Sequence, residues 1–333
     1  MRIRLAGLTK PLGSLGLLED LAVQLASITG TTRPSVRERA VVVMAGDHGV
    51  TAEGVSTFPS EVTAQMIGNF LAGGAGINVL ARQAGARVLV VDVGVAVPLD
   101  LPGLRTAKVR LGTANLAVGP AMSLDEARAA LQIGYNLAGE LIDAGVEVIG
   151  TGEMGIGNTT PAAALLAVFT GLEPAAVVGR GTGLDADGLK RKTEVLRRAL
   201  AHNRPDPRQP LAALAKVGGL EIAALAGLIL GSAYRRRPVV LDGFISGAAA
   251  LVAEALTPGA RHFMIPSHLG AEAGHRALLE HLGLKAMLHL ELRLGEGTGA
   301  ALAFHLLEAA TRIPWEMATF TEAAVSPAPE NLV

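Results

Sequence analysis

Short apolar runs recur along the chain, and each gives way to a polar or glycine-rich turn and then to helical spacing. Runs of strand length lie at Ala40–Met44, Val88–Val93, Val146–Gly150, Ala176–Val178, Val239–Leu241, His262–Ile265 and Lys285–Leu288. Most are continuously apolar rather than alternating, as in strands covered on both faces. Helical patterns fall at Glu61–Gln83, Leu124–Ala144, Pro161–Phe169, Asp185–His202, Leu220–Tyr234, Ile245–Leu256, Ala271–Leu282 and Thr298–Thr311. Strand alternating with helix predicts an α/β fold with a doubly wound, mostly parallel, Rossmann-like sheet. In such a sheet ligands bind outside the carboxyl ends of the strands. The two ends of the chain break the alternation. Leu15–Ile28 is an amphipathic helix with no strand before it, and the last helix runs into Pro314, Trp315 and a Pro-rich tail. The ends are therefore expected to form a small helical subdomain, residues 1–29 plus 298–333, beside an α/β domain of residues 30–297. One linker is expected, the proline-rich His202–Pro210.

Composition narrows the classes of function. Half of the 333 residues are hydrophobic and 18% are charged, enough for a large core without disulfides. A net charge of −1 and 3% aromatic residues give nucleic acid neither a basic surface nor stacking platforms. The absence of cysteine excludes thiol catalysis, disulfides and zinc–cysteine sites. The opening MRIRLAGLTKPLGSLG holds no long apolar run, so no signal peptide is expected, and no membrane-spanning segment is expected either. The cytoplasm is the expected compartment.

The polar residues collect where the predicted strands end. Gly46-Asp47-His48-Gly49 follows the first strand. It reads equally as the start of a metal or acid–base site and as a structural turn, and metal spacing such as HExxH is absent. Gly152 to Thr160, GEMGIGNTT, crowds three glycines, an acid, an amide and two hydroxyls at a predicted strand-to-helix turn. Backbone N–H groups at such a helix start bind anions, yet Glu153 is an acid. A second glycine-bracketed acid, Glu296, lies in Gly295-Glu296-Gly297-Thr298-Gly299. In the loop Glu53–Glu61, Phe58 and Pro59 can line a pocket for a flat ligand or staple the next helix. Arg180 in Gly179-Arg-Gly-Thr-Gly is placed to meet a phosphate or carboxylate. Lys190 and Arg191, on the helix that follows, read as a solvated basic face. GxxxxGK[ST] is absent, and GEMGIGNTT holds G-x-x-G-x-G rather than G-x-G-x-x-G, with no acid at the spacing a dinucleotide site wants.

These blocks, with AGDHGVTAEGVSTFPSEVTAQM, VGRGTG, LRLGEGTGAALA, Thr9-Lys-Pro-Leu-Gly-Ser-Leu-Gly and Val240-Leu-Asp-Gly-Phe-Ile, resemble the nicotinate-nucleotide–dimethylbenzimidazole phosphoribosyltransferase family. The likeness runs in order from about residue 9 to about residue 315. It implies transfer of phosphoribose from nicotinate mononucleotide to a benzimidazole nitrogen. The implied products are α-ribazole phosphate and nicotinate, in assembly of the cobalamin nucleotide loop. It also implies a homodimer, small-molecule substrates and no cofactor or metal. Glu296 falls on the family's general base and Glu153 on a supporting acid. Gly155, Gly157, Asn158 and Thr159 fall on nucleotide-holding positions, and Lys192 on the phosphate-binding lysine. Arg180, Gly181, Thr182 and Asp242 are further substrate-binding candidates. Phe58, Pro59, Met66, Met154, Leu294 and Gly295 fall around the base pocket. Two positions depart from the pattern: Met66 stands where some members carry a glutamine, and Gly270 where a serine often helps bind phosphate. The alternatives are another phosphoribosyltransferase or a nucleotide hydrolase on the same scaffold.

Overall fold

The computed structural model describes residues 1–326. At its centre is a six-stranded sheet, entirely parallel, in the order β3-β2-β1-β4-β5-β6. The strands are β1 (Arg39–Gly46), β2 (Ala86–Gly94), β3 (Arg105–Thr106), β4 (Val148–Met154), β5 (Val239–Leu241) and β6 (Met264–Pro266). All eight residues of β1 are buried. Val42 and Met44 face one hydrophobic core, and Val41, Val43 and Ala45 face a second core on the other side of the sheet. This two-sided burial is why the strand reads as a continuous apolar run. The strand order reverses between β1 and β4, so the crevice at their carboxyl ends is the topological switch point.

One face carries the helices Leu124–Asp143, Thr159–Thr170, Pro210–Val217, Leu220–Tyr234 and Phe244–Leu256. The other carries Leu17–Thr29, Glu61–Ala72, Gly76–Gln83 and Thr298–Glu316. The Leu17–Thr29 helix packs against Thr298–Glu316, which also lies on β1, β4 and β5. The part of the expected terminal subdomain beyond Ser326 lies outside the described residues.

Several elements depart from the sequence reading. Ala176–Val178 is no strand: Pro174 starts a short helix, Pro174–Val177, with its ring at the first helical position, where no N–H is needed. Lys285–Leu288 contributes one bridge, Leu288 to His268. The chain at His262 is 3-10 helix, and the strand begins at Met264. β4 starts at Val148 and continues through Met154, so Glu153 stands on the strand rather than in the turn after it. The expected helix Glu61–Gln83 is two helices, parted where Gly73 takes a left-handed φ of 80°. The stretch read as a linker ends in the helix Pro210–Val217, packed into the core.

The helices Leu124–Asp143 and Leu220–Tyr234 touch backbone to backbone. A Cβ at Gly134 would stand 1.8 Å from the Ala224 carbonyl oxygen, and one at Gly227 would stand 1.8 Å from that of Leu131. Only glycine permits this spacing. Gly227→Ala is therefore expected to lower stability by about 3 kcal/mol or more through forced separation of the helices. Gly68→Ala, in a helix where a Cβ meets nothing within 4 Å, should be neutral or stabilising by up to ~1 kcal/mol. Urea unfolding of the two variants checks the contrast.

Candidate active site

The two glycine-bracketed acids meet at the switch point. Glu153 is the penultimate residue of β4 and pairs in register with Met44 of β1. Glu296 lies in the turn before the helix Thr298–Glu316 and holds a left-handed φ of 64°, a conformation costing a non-glycine residue ~1 kcal/mol or more. Glycines let the two segments close on each other. A Cβ at Gly152 would stand 2.5 Å from the Glu296 carbonyl oxygen, and one at Gly295 would stand 2.2 Å from Glu153 Oε1.

Backbone amides hold Glu296. The amide of Ile77 donates to its Oε2 at 3.0 Å, and that of Gly76 reaches the same carboxyl. These are the first free N–H groups of the helix Gly76–Gln83, so the carboxylate sits at a positive helix end. Burial raises the Glu296 pKa, against the pull of both amides. Asp242, at the end of β5, accepts from the amides of Gly297, Gly299 and Ala300 at 3.1, 2.7 and 3.4 Å. Its carboxylate thus fixes the Glu296 turn and the start of the following helix rather than facing an open site. Burial still lifts its pKa to about 7.

Glu153 is 7% exposed. Burial pushes its pKa to about 8, and the nearby charges of Asp242, Glu221 and Glu296 add to the rise. Asn158 donates to its Oε2 from the side-chain amide. Thr159, the next residue, bonds Lys192, whose Nζ donates to Thr159 Oγ1 at 2.5 Å and to the Gly179 carbonyl at 3.3 Å. Lys192 is 0% exposed, and burial lowers its pKa to about 8. Its two hydrogen-bond acceptors are neutral, the nearby Glu272 carboxylate supports its charge, and one donor is left for a ligand anion. Gly181 lies against the lysine, with a would-be Cβ 3.2 Å from Nζ.

The remaining candidates spread around this centre. Thr182 accepts from the Thr57 amide at 3.0 Å and so pins the Phe58–Pro59 loop to the Gly179–Gly183 loop. Phe58 is 52% exposed. Arg180 is exposed and turns back to the Leu184 carbonyl at 2.8 Å. Met66 and Met154 are half-buried on the same core. Leu294 is exposed and lies over Gly76. Gly155 and Gly157 are buried, packed against Gly46 and Thr51. Two surface grooves of about 290 and 310 Å³ lie elsewhere, and neither is lined by these residues.

With this geometry in place, comparison with known proteins decides the family. Residues 1–325 match the model of a family described as phosphoribosyltransferase. The chain belongs to this family. It is 58% identical over 325 residues to a nicotinate-nucleotide–dimethylbenzimidazole phosphoribosyltransferase of Desulforamulus reducens, covering 97% of this chain and 93% of that one. A protein of the same name from Geobacter sulfurreducens is 56% identical over 324 residues, covering 97% and 92%. The crystal structure of CobT from Thermus thermophilus superposes with a TM-score of 0.95 at 52% identity, covering 98% of both chains.

The sequence reading missed several contacts of this phosphoribosyltransferase's acidic centre. The amides of Gly76 and Ile77 were hidden by reading one helix across Gly73-Gly74-Ala75-Gly76, although that glycine cluster marks a break. Glu221 was passed over, although it is the one charged residue of the Leu220–Tyr234 helix. His48 was read with Asp47 as a candidate acid–base pair, and its ring instead bonds Glu221.

Glu153 makes stability depend on pH. Its folded pKa of about 8 lies above the ordinary 4.5, so between those values the folded chain keeps a proton that the unfolded chain has lost. Stability should fall as pH rises from about 4.5 to about 8, by up to ~1.4 kcal/mol per unit, and then level off. Glu153→Gln removes this loss and should flatten the fall across that window. Urea midpoints at a series of pH values test it, and parallel curves for the two proteins would mean Glu153 is ionised throughout.

Proposed function

We propose that this chain moves phosphoribose from nicotinate mononucleotide to 5,6-dimethylbenzimidazole, giving α-ribazole 5′-phosphate and nicotinate. The reading is supported above all by the meeting of Glu153 and Glu296 at the switch point, joined to Lys192 through the neighbouring residues Asn158 and Thr159. In this reading Lys192, Thr159 and the Gly179–Gly183 loop take the phosphate. Met66, Met154, Leu294 and Phe58 line the space for the base. The C1′–N bond to the pyridinium breaks, and its electron pair returns to the ring nitrogen, so nicotinate leaves without needing an acid. The benzimidazole nitrogen attacks the opposite face of C1′, which inverts that carbon. Its other N–H proton passes to Glu296, which the raised pKa makes a stronger base than an ordinary carboxylate. Glu153 lies beside the reacting carbon and favours its developing positive charge.

In this reading residues 30–297 form the α/β catalytic domain and residues 1–29 with 298–326 a terminal helical unit, whose helix Thr298–Glu316 packs on the sheet and completes the site. Two copies pair, as twofold dimers are common among enzymes. We assign the cytoplasm as its compartment because a charged nucleotide is retained behind a membrane. Among the described residues no helix is long and apolar enough to cross one.

Incubation with nicotinate mononucleotide and a panel of bases, with products identified by mass, tests the reaction. Ribose phosphate formed without a base adduct would favour a hydrolase instead. Glu296→Gln is expected to fold normally and lose a hundred- to ten-thousand-fold in kcat. The wild-type rise of kcat with pH, as Glu296 ionises, should vanish in that variant. Lys192→Ala should raise KM for the nucleotide about tenfold or more with little change in KM for the base. Equal rises in both constants would remove Lys192 from the phosphate.

A further inference from the structure

The loop after β6 carries an acid that the reaction just described does not use. Glu272 lies between Pro266, where β6 ends, and the helix His275–Leu282. Hydrogen bonds fix its loop. The Gly270 amide donates to His275 Nδ1 at 2.9 Å, the Ala271 amide to the Leu292 carbonyl at 3.0 Å and the His275 amide to the Glu272 carbonyl at 3.0 Å. Gly274 lies against the Pro174–Val177 helix, where a Cβ would stand 2.9 Å from the Val177 carbonyl oxygen. The loop is thus pressed onto the segment that leads into Gly179.

Glu272 Oε2 is buried and has no hydrogen-bond partner. A buried oxygen left without one costs stability and calls for a reason. Its neighbour supplies one. A Cβ at Gly179 would stand 1.9 Å from this oxygen, so the carboxyl fills the place of the missing side chain and lies out along a Gly179 Cα–H bond. That is the arrangement of a Cα–H···O contact, a weak bond that recurs where backbones pack closely. The carbonyl of the same residue accepts from Lys192 Nζ at 3.3 Å. Two residues on, a Cβ at Gly181 would stand 2.9 Å from Thr159 Oγ1 and 3.2 Å from Lys192 Nζ. The loop is therefore clamped between Glu272 on one side and the lysine with its threonine on the other. Among the described residues no salt bridge joins Glu272 to Lys192, so the link runs through the position of Gly179.

Building on the transferase reading, we propose that Glu272 is a positioning residue of the phosphate site: its carboxyl, seated on Gly179, keeps the Gly179 carbonyl on Lys192 and the third Nζ–H aimed at the phosphate. An ammonium has three donors. Thr159 and Gly179 take two and so fix the direction of the remaining one. Without the seat the carbonyl turns off the lysine, and the ammonium satisfies itself on the loop instead of on the ligand. The role is one of place rather than charge. It needs an oxygen at the full reach of a glutamate side chain.

Calorimetric titration of the whole chain with nicotinate mononucleotide, and separately with ribose 5-phosphate, reads the grip on phosphate without turnover. Glu272→Ala should raise both dissociation constants about fivefold and leave that of 5,6-dimethylbenzimidazole unchanged. Glu272→Gln still sets an oxygen on Gly179 and should raise them less. Glu272→Asp keeps the acid but falls one methylene short, and should match the alanine variant. In a Lys192→Ala background Glu272→Ala should add nothing, because the contact it serves is already gone. Equal losses for phosphate ligands and base, an aspartate variant that binds like the wild type, or the full loss repeated in the Lys192→Ala background would each overturn the proposal. Should the alanine variant not fold, the glutamine and aspartate variants carry the comparison. Every readout is a binding constant, so a chain that binds the nucleotide and yields no base adduct would fail the transferase reading alone.

Discussion

Two close backbone contacts hold the acidic centre together, and each pairs a glycine of one block with a glutamate of the other. Gly152 lies flat on the Glu296 backbone, and Gly295 lies on the Glu153 carboxyl. Any side chain at either glycine would separate the acids. The contacts join β4 to a turn more than a hundred residues later, so the site exists only when the sheet and the last helix are both in place. The chain accepts a left-handed glutamate at position 296 to close this clasp. Backbone strain of that kind persists where the surroundings over-determine it, and here Asp242 fixes the turn from below through three amides.

Four buried carboxyls in one crevice would repel each other without compensation, and the fold compensates mostly with backbone dipoles. Glu296 takes the start of the helix Gly76–Gln83, and Asp242 takes the start of Thr298–Glu316. A parallel sheet with helices returning on both faces points helix starts toward the carboxyl ends of its strands. The architecture thus supplies N–H groups where the chemistry needs acids. Glu153 receives an amide side chain instead of a helix start, and its pKa is the one lifted to about 8.

This division also explains what the sequence could and could not reveal. β1 and β2 were legible because burial on both faces demands continuous apolar residues. The run Ala176–Val178 satisfied the same pattern and is helix, since a few small apolar residues carry no period and Pro174 decides the outcome. Glu153 and Glu296 were legible as acids bracketed by glycine, a placement with little structural use otherwise. Their partners were not, because a main-chain amide has no side-chain letter: nothing in Gly76 or Ile77 announces a carboxylate ligand. Asp242 was legible as polar at a strand end, but whether such an acid faces a ligand or caps a helix depends on the approach of a segment more than fifty residues away. The Glu221–His48 pair left only the faint trace of one charge in an apolar helix.

The charge pattern of the finished site narrows what can fill it. Lys192 is a buried cation near Glu272 with one donor to spare, and the Glu153 centre is a cluster of acids. Asn158 reaches the acids and Thr159 reaches the lysine, and adjacent residues are ~3.8 Å apart, so both ends lie within the span of one small molecule. In the proposed reading a ribonucleotide puts its phosphate at the lysine and its pyridinium nitrogen near the acids. In the proposed reaction the ring nitrogen becomes neutral as the C1′–N bond breaks, and the positive character that develops on the sugar carbon takes its place. The acids proposed to face the pyridinium nitrogen in the bound nucleotide would then face the same charge as it moves to the sugar carbon in the transition state.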